Sequence, residues 1–140
     1  MGCVGGVIGL ARASNIALAN ELSTFCDHTG TNYWEIMKAA NSQPFCHLHY
    51  PGTGVGGLCI PIYPQFVINS AKKLNVSTQL IESSREINDS MPIKCANDSL
   101  KLIKKSKSKK NKIAVLGLGF RGDVYDSRLS PTYSLSLIHI

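Results

Sequence analysis

A lone thiol at the end of a glycine run is the feature of this sequence that points most directly to chemistry. Cys59 closes the stretch GTGVGGLCIP, residues 52–61, behind Gly52, Gly54, Gly56 and Gly57. A plain turn needs one or two glycines. Four of them, with Pro61 and Pro64 fixing the chain beyond, suit a loop whose backbone approaches a ligand and delivers a thiol. A cysteine so placed can act as a nucleophile, and it can equally be a small buried hydrophobe. His47 and His49 lie just before the loop and offer a base, a substrate contact or ordinary surface imidazoles.

A second glycine pattern, GLGFRG at residues 117–122, follows the β-branched run Ile113 to Leu116. Strand into G-x-G-x-x-G is the dinucleotide-binding fingerprint. That fingerprint needs a helix at once and an acidic residue about 20 positions on. Here DVYDSRLSP follows, with Pro131 ahead and no acidic residue after Asp126. The pattern therefore predicts a tight turn with some phosphate contact more than a nicotinamide cofactor site.

These residues must be held by helices. Leu18, Leu22, Phe25 and Cys26 share one face of a helix spanning Asn15 to Cys26, and Gly30 is its expected stop. NYWEIMKAAN reads as a short helix capped by Asn32. The stretch from Ser42 to Gly57 is irregular, and a helix is expected from Pro64 to Leu74. Ser77 or Thr78 caps the next helix, whose face carries Leu80, Ser84, Ile87 and Met91. Pro92 should kink or interrupt it, and Ile93, Ala96, Leu100 and Ile103 continue the spacing. The fold class is mainly α: a helical domain over 15–105 after an atypical segment 1–14. A lysine-rich linker at 106–111 leads to the first strand and turn of a truncated Rossmann-like α/β domain, 112–140.

With 140 residues, 44% hydrophobic and 17% charged, the chain can bury a core. It holds no apolar run near the roughly 18 residues of a membrane span. Its start lacks the basic residues of a signal peptide, and Gly6 breaks the myristoylation pattern. Five cysteines without a C-x-x-C pair argue against a disulfide framework or a metal site. A cytoplasmic location follows. The net charge of +6 resides largely in seven lysines between Lys101 and Lys112. That run reads as a solvated linker, and without interleaved aromatic residues it is not expected to bind nucleic acid.

The stretches NIALANEL, PGTGVGGLCIPIYP, SREINDSMP and KIAVLGLGFRGDVYDSRLSP resemble, in order and spacing, the UDP-glucose/GDP-mannose (nucleotide-sugar) dehydrogenases. The wording is nearest the prokaryotic UDP-N-acetylmannosamine or UDP-N-acetylglucosamine 6-dehydrogenase branch. The resemblance implies a central helical domain with homodimer contacts, followed by the opening of a UDP-holding domain. It also implies NAD bound by an N-terminal domain missing from this chain. The implied reaction oxidises the C6 alcohol of a UDP-sugar to a carboxylate through a thiohemiacetal and a thioester on Cys59. Substrate contacts would come from His49, Gly52, Gly54, Gly56, Gly57, Arg121, Asp123 and Arg128.

The same resemblance marks departures. The family's catalytic lysine and asparagine fall at Gly5 and Gly9, its aspartate at Tyr63, its histidine before the cysteine at Leu58, and a loop arginine at Phe45. Lysine and aspartate handle protons and stabilise the developing oxyanion, so their loss removes orders of magnitude in rate. The expectation is a dehydrogenase fragment inactive on its own. The alternative is a helical dimerisation or scaffold module without chemistry.

Overall fold

The computed structural model describes residues 2–105 and 112–137. Five helices follow in order: α1 Gly2–Thr29, α2 Tyr33–Ala40, α3 Cys59–Lys73, α4 Gln79–Lys105 and α5 Pro131–Leu137. The two long helices α1 and α4 pack on each other. α3 lies against both, α2 against α1, and α5 against α4. No described helix is long and apolar enough to cross a membrane.

The helix ends follow local chemistry. Asn32 caps α2 by accepting the Trp34 N–H at 3.0 Å. Gly30, at φ +70°, stops α1 in the left-handed region that favours glycine. Thr78 precedes α4, and its hydroxyl donates to Glu82 Oε1 at 2.9 Å.

The core between α1 and α4 is built from small side chains. Ala13, Ala17 and Ala96 are buried, together with the amides Asn20 and Asn88. Small residues let helix backbones approach closely, and the reward is dispersion between tightly fitted surfaces. A satellite cluster of Ala19, Cys26 and Tyr33 seats α2 on α1.

Several expectations are corrected. α1 begins at Gly2, not near Asn15; at Gly9 it is seated on α3, against Tyr63 and the Cys59 carbonyl, a tertiary contact that offsets the weak helix propensity of that glycine. Cys26 is buried, whereas Leu18 and Phe25 are 46% and 64% exposed, because the alanines take the contact face. On α4, Ser84, Met91 and Ala96 are buried as expected, but Leu80 points to solvent. Pro92 does not interrupt α4. Its buried ring packs against the glycine loop, which offsets the missing N–H.

α3 starts at Cys59 instead of Pro64. Pro61 falls in the first turn, where an N–H would lack a partner anyway. The expected strand Ile113–Leu116 does not form: the segment pairs with no other strand among the described residues, and Leu116 is 91% exposed. A strand needs a ladder partner for its backbone groups. The linker expected at 106–111 lies outside the described residues.

Candidate active site

The glycine loop is suspended from four directions. Asn41 grips the backbone of Leu48 with both amide atoms, at 2.9 and 2.6 Å. The Tyr33 hydroxyl donates to the His49 carbonyl at 2.8 Å, and the Gly52 N–H donates to Asn20 Oδ1 at 2.9 Å. At the far end the Gly57 N–H donates to the Arg128 carbonyl at 3.0 Å. Two residues later the chain enters α3 at Cys59, whose side chain is exposed. Leu58 precedes the helix and provides no side-chain hydrogen bond to it. The N–H groups of Cys59 and Ile60 therefore receive no side-chain cap from Leu58, while the Ile62 N–H donates to the Leu58 carbonyl at 3.1 Å.

The glycines are required by close packing. A Cβ on Gly56 would lie 2.6 Å from Phe120 Cβ, and one on Gly57 2.9 Å from the Phe120 ring. Gly57 also sits at φ +81°, and Gly54, at φ +130°, fits between Pro92 and Pro131. The loop thus carries the GLGFRG turn on its back. Between these parts and α1 opens a cleft of about 790 Å³, lined by the glycine loop, Cys59, Arg121, Phe120, Tyr50 and Arg12. That is ample for a nucleotide-sugar fragment.

Of the residues expected at a site, Cys59, Gly52, Gly54, Gly56, Gly57 and Arg121 meet in this one cleft. His49, Asp123 and Arg128 do not line it. The His49 ring stacks edge-on against His47 with centroids 5.3 Å apart. Burial, followed by His47 and Arg12, lowers its pKa below the usual imidazole value. Arg128 engages Asp126 through Nε at 2.9 Å and Nη2 at 2.6 Å. Hydrogen bonds from Arg128 hold the Asp126 carboxyl down at about 2. Asp123 stands exposed at φ 58°.

Sequence reasoning missed Arg12, Tyr50 and Phe120. Arg12 carried a usable signal, as the one Lys or Arg before Lys38. Tyr50 and Phe120 had none, since their places come from loop docking.

The departures at positions 9 and 63 touch each other. A Cβ on Gly9 would meet Tyr63 Cδ2 at 3.1 Å and the Cys59 carbonyl at 3.3 Å. The Tyr63 ring thus fills the space that a side chain at position 9 would need.

The GLGFRG turn does not present itself to a dinucleotide. The space for a Cβ on Gly119 is closed by carbonyls of its own loop, Arg121 and Val124 at 3.2 Å. No helix follows until Pro131.

Residues 7–90 match the central domain of the UDP-glucose/GDP-mannose dehydrogenase family, and the chain belongs to that family. It is 42% identical over 121 residues to a UDP-N-acetyl-D-mannosamine dehydrogenase of Methanococcus maripaludis, a match covering 86% of this chain and 27% of the relative. A Campylobacter jejuni enzyme of the same description is 41% identical over 128 residues, covering 89% of this chain and 29% of that enzyme. The structure of the UDP-D-ManNAc dehydrogenase from Pyrococcus horikoshii superposes with a TM-score of 0.85 at 36% identity. That alignment covers 95% of this chain and 32% of the Pyrococcus chain. The chain therefore spans about a third or less of the length of these relatives.

Proposed function

We propose that these residues are the cysteine-bearing, sugar-facing part of an NAD-dependent UDP-sugar 6-dehydrogenase, with UDP-N-acetylmannosamine as substrate. The observation that carries the reading is the convergence of Cys59, the glycine loop and Arg121 on one cleft. The loop gives close backbone approach to the sugar nucleotide, and Arg121 offers a guanidinium to its phosphates. The Cys59 thiolate adds to the C6 aldehyde carbon, and the aldehyde oxygen takes a proton to give a thiohemiacetal. Oxidation to the thioester follows, and attack of water then releases the carboxylate and returns the thiol. Both oxidations, the earlier one of the C6 alcohol to the aldehyde and this one of the thiohemiacetal to the thioester, pass a hydride to an acceptor, NAD in the family resemblance, whose binding is assigned to a domain outside these residues.

The chain is expected to be inactive by itself. Gly5, Gly9 and Tyr63 stand where proton transfer and oxyanion stabilisation would be placed. With NAD and UDP-N-acetylmannosamine it should produce no NADH, and NADH formation would overturn this part of the proposal. UDP-N-acetylmannosamine should nonetheless slow iodoacetamide labelling of Cys59, read by peptide mass spectrometry, while leaving Cys46 unaffected. Equal labelling of Cys59 with and without the nucleotide sugar would remove the cleft from the proposal.

The second reading, a dimerisation module, is favoured by the α1–α4 groove of about 420 Å³, lined by Phe25, Ile87 and Met91. A homodimer through this face is expected in light scattering, and Phe25→Glu should yield a monomer. A monomeric parent chain would exclude this reading.

A further inference from the structure

The buried amides Asn20 and Asn88 form a directional chain of hydrogen bonds that ends on the glycine loop. Asn88 Nδ2 donates to the Ala13 carbonyl at 2.8 Å. Asn20 Nδ2 donates to Asn88 Oδ1 at 3.0 Å, and the Gly52 N–H donates to Asn20 Oδ1 at 2.9 Å. Asn20, Asn88 and Ala13 are 0%, 1% and 1% exposed, so water does not reach the bonds the two amides make with each other and with the Ala13 carbonyl, whereas Gly52 itself lies at the exposed end of the relay.

An amide has an acceptor end and a donor end, and here the orientation of each is dictated by the next. The Ala13 carbonyl accepts only, so Asn88 must turn its NH₂ towards it and its oxygen towards Asn20. Asn20 must then present its NH₂ to Asn88, which leaves its oxygen for Gly52. A flip at either residue would set donor against donor or acceptor against acceptor between buried amides. The chain of bonds starts on the α1 backbone, crosses to α4, returns to α1 and leaves for the loop.

We propose that Asn20 and Asn88 are positioning residues for the active-site loop, with Asn88 acting on Gly52 solely through the orientation of Asn20. The proposal rests on the dehydrogenase reading for its functional consequence. Gly52 is fixed by this relay and Gly57 by the Arg128 carbonyl. Between these two points the loop lines the cleft, and Cys59 follows directly. Loss of the relay frees the first anchor and leaves the second in place.

The test is amide hydrogen exchange on the 140-residue chain, with the amides of α2 and α3 as internal reference. Asn88 makes its hydrogen bonds to Asn20 and Ala13 and none to Gly52 or the loop, so Asn88→Ala removes no direct bond to the loop. It should nevertheless raise Gly52 exchange about twofold to tenfold over the reference amides, the range for losing one part-buried hydrogen bond. Asn88→Asp keeps the acceptor for Asn20 while burying a charge near the Ala13 carbonyl. It should lower global stability and yet leave Gly52 exchange close to the parent value relative to the reference. A residue that only supports the fold would give the reverse order, with the more destabilised variant exchanging faster everywhere.

Equal local effects of the two variants, or a Gly52 rise no larger than that of the reference amides, would overturn the relay. Protection of Cys59 from iodoacetamide by UDP-N-acetylmannosamine, measured in parallel, should weaken in Asn88→Ala and persist in Asn88→Asp. If Gly52 responds as described but the nucleotide sugar protects Cys59 in no protein, the parent included, the relay stands and the dehydrogenase reading falls.

Discussion

Gly5 and Gly9 lie one turn apart on α1 and should respond to the same substitution with opposite signs. In a helix interior, glycine is about 0.5–1 kcal/mol less favourable than alanine, because it loses more backbone freedom on folding. At Gly5 a new Cβ meets nothing within 4 Å, so Gly5→Ala should stabilise the chain by up to that amount. At Gly9 the same methyl group would lie 3.1 Å from Tyr63 Cδ2 and 3.3 Å from the Cys59 carbonyl. The carbonyl belongs to the first turn of α3 and cannot swing aside, so the ring or the whole helix must retreat. Overpacking of this kind costs about 1–3 kcal/mol, which exceeds the propensity gain. Gly9→Ala should therefore destabilise by up to about 2.5 kcal/mol, since the two ranges differ by about 0 to 2.5 kcal/mol. Urea unfolding followed by far-UV circular dichroism reads both variants through the midpoint at constant slope. Tyr63→Ala removes one of the two obstacles, so in its background Gly9→Ala should recover about 1 kcal/mol, a coupling typical of residues in contact. Equal stabilisation by Gly5→Ala and Gly9→Ala would refute the seating of α1 on α3 and, with it, the pairing of positions 9 and 63.

Two other perturbations probe polar groups outside the cleft. Arg85 is buried on α4 with Asp89 as its salt-bridge partner, and its Nε and Nη1 atoms have no hydrogen-bond partner among the described residues. Asp89→Ala should cost about 1–3 kcal/mol by stranding the guanidinium, whereas Arg85→Met should be near neutral, since it removes the buried charge altogether; thermal melts compare them. His49 is held below its ordinary pKa of 6.5, chiefly by burial. The unfolded chain then binds the extra proton first as the pH falls. The neutral-imidazole contribution is complete above about pH 6.5 and is lost as the pH drops through the depressed folded value. Stability should fall more steeply below pH 6.5 in the parent than in His49→Gln, and parallel pH profiles would contradict the burial of His49.

The sequence by itself determined the helical class, the Asn32 cap, the Gly30 stop and the candidate role of Cys59. Each rests on chemistry within a few residues: a side-chain oxygen one turn from a free N–H, a glycine where φ turns positive, a thiol behind a run of glycines. Four ordered stretches also carried the family resemblance. Other features depended on contacts between residues distant in the chain, which a local pattern does not contain. Leu18 and Phe25 keep helical spacing with Cys26, yet the buried face of α1 is set by the alanines that let α4 approach. Pro92 breaks a local rule that its packing against the glycine loop overrides.

The strand expected at Ile113–Leu116 has the right residues, but β structure is made by pairing, and no partner strand is present among the described residues. At the site, the sequence supplied the thiol and the glycines. Only the tertiary structure brought Arg12 and Arg121 to the same cleft, set Phe120 against Gly56 and Gly57, and placed Tyr63 beside Gly9. The amide relay is likewise tertiary. Asn20 and Asn88 are separated by 68 positions and are joined because two packed helices bury both side chains, where each amide has one orientation that satisfies it.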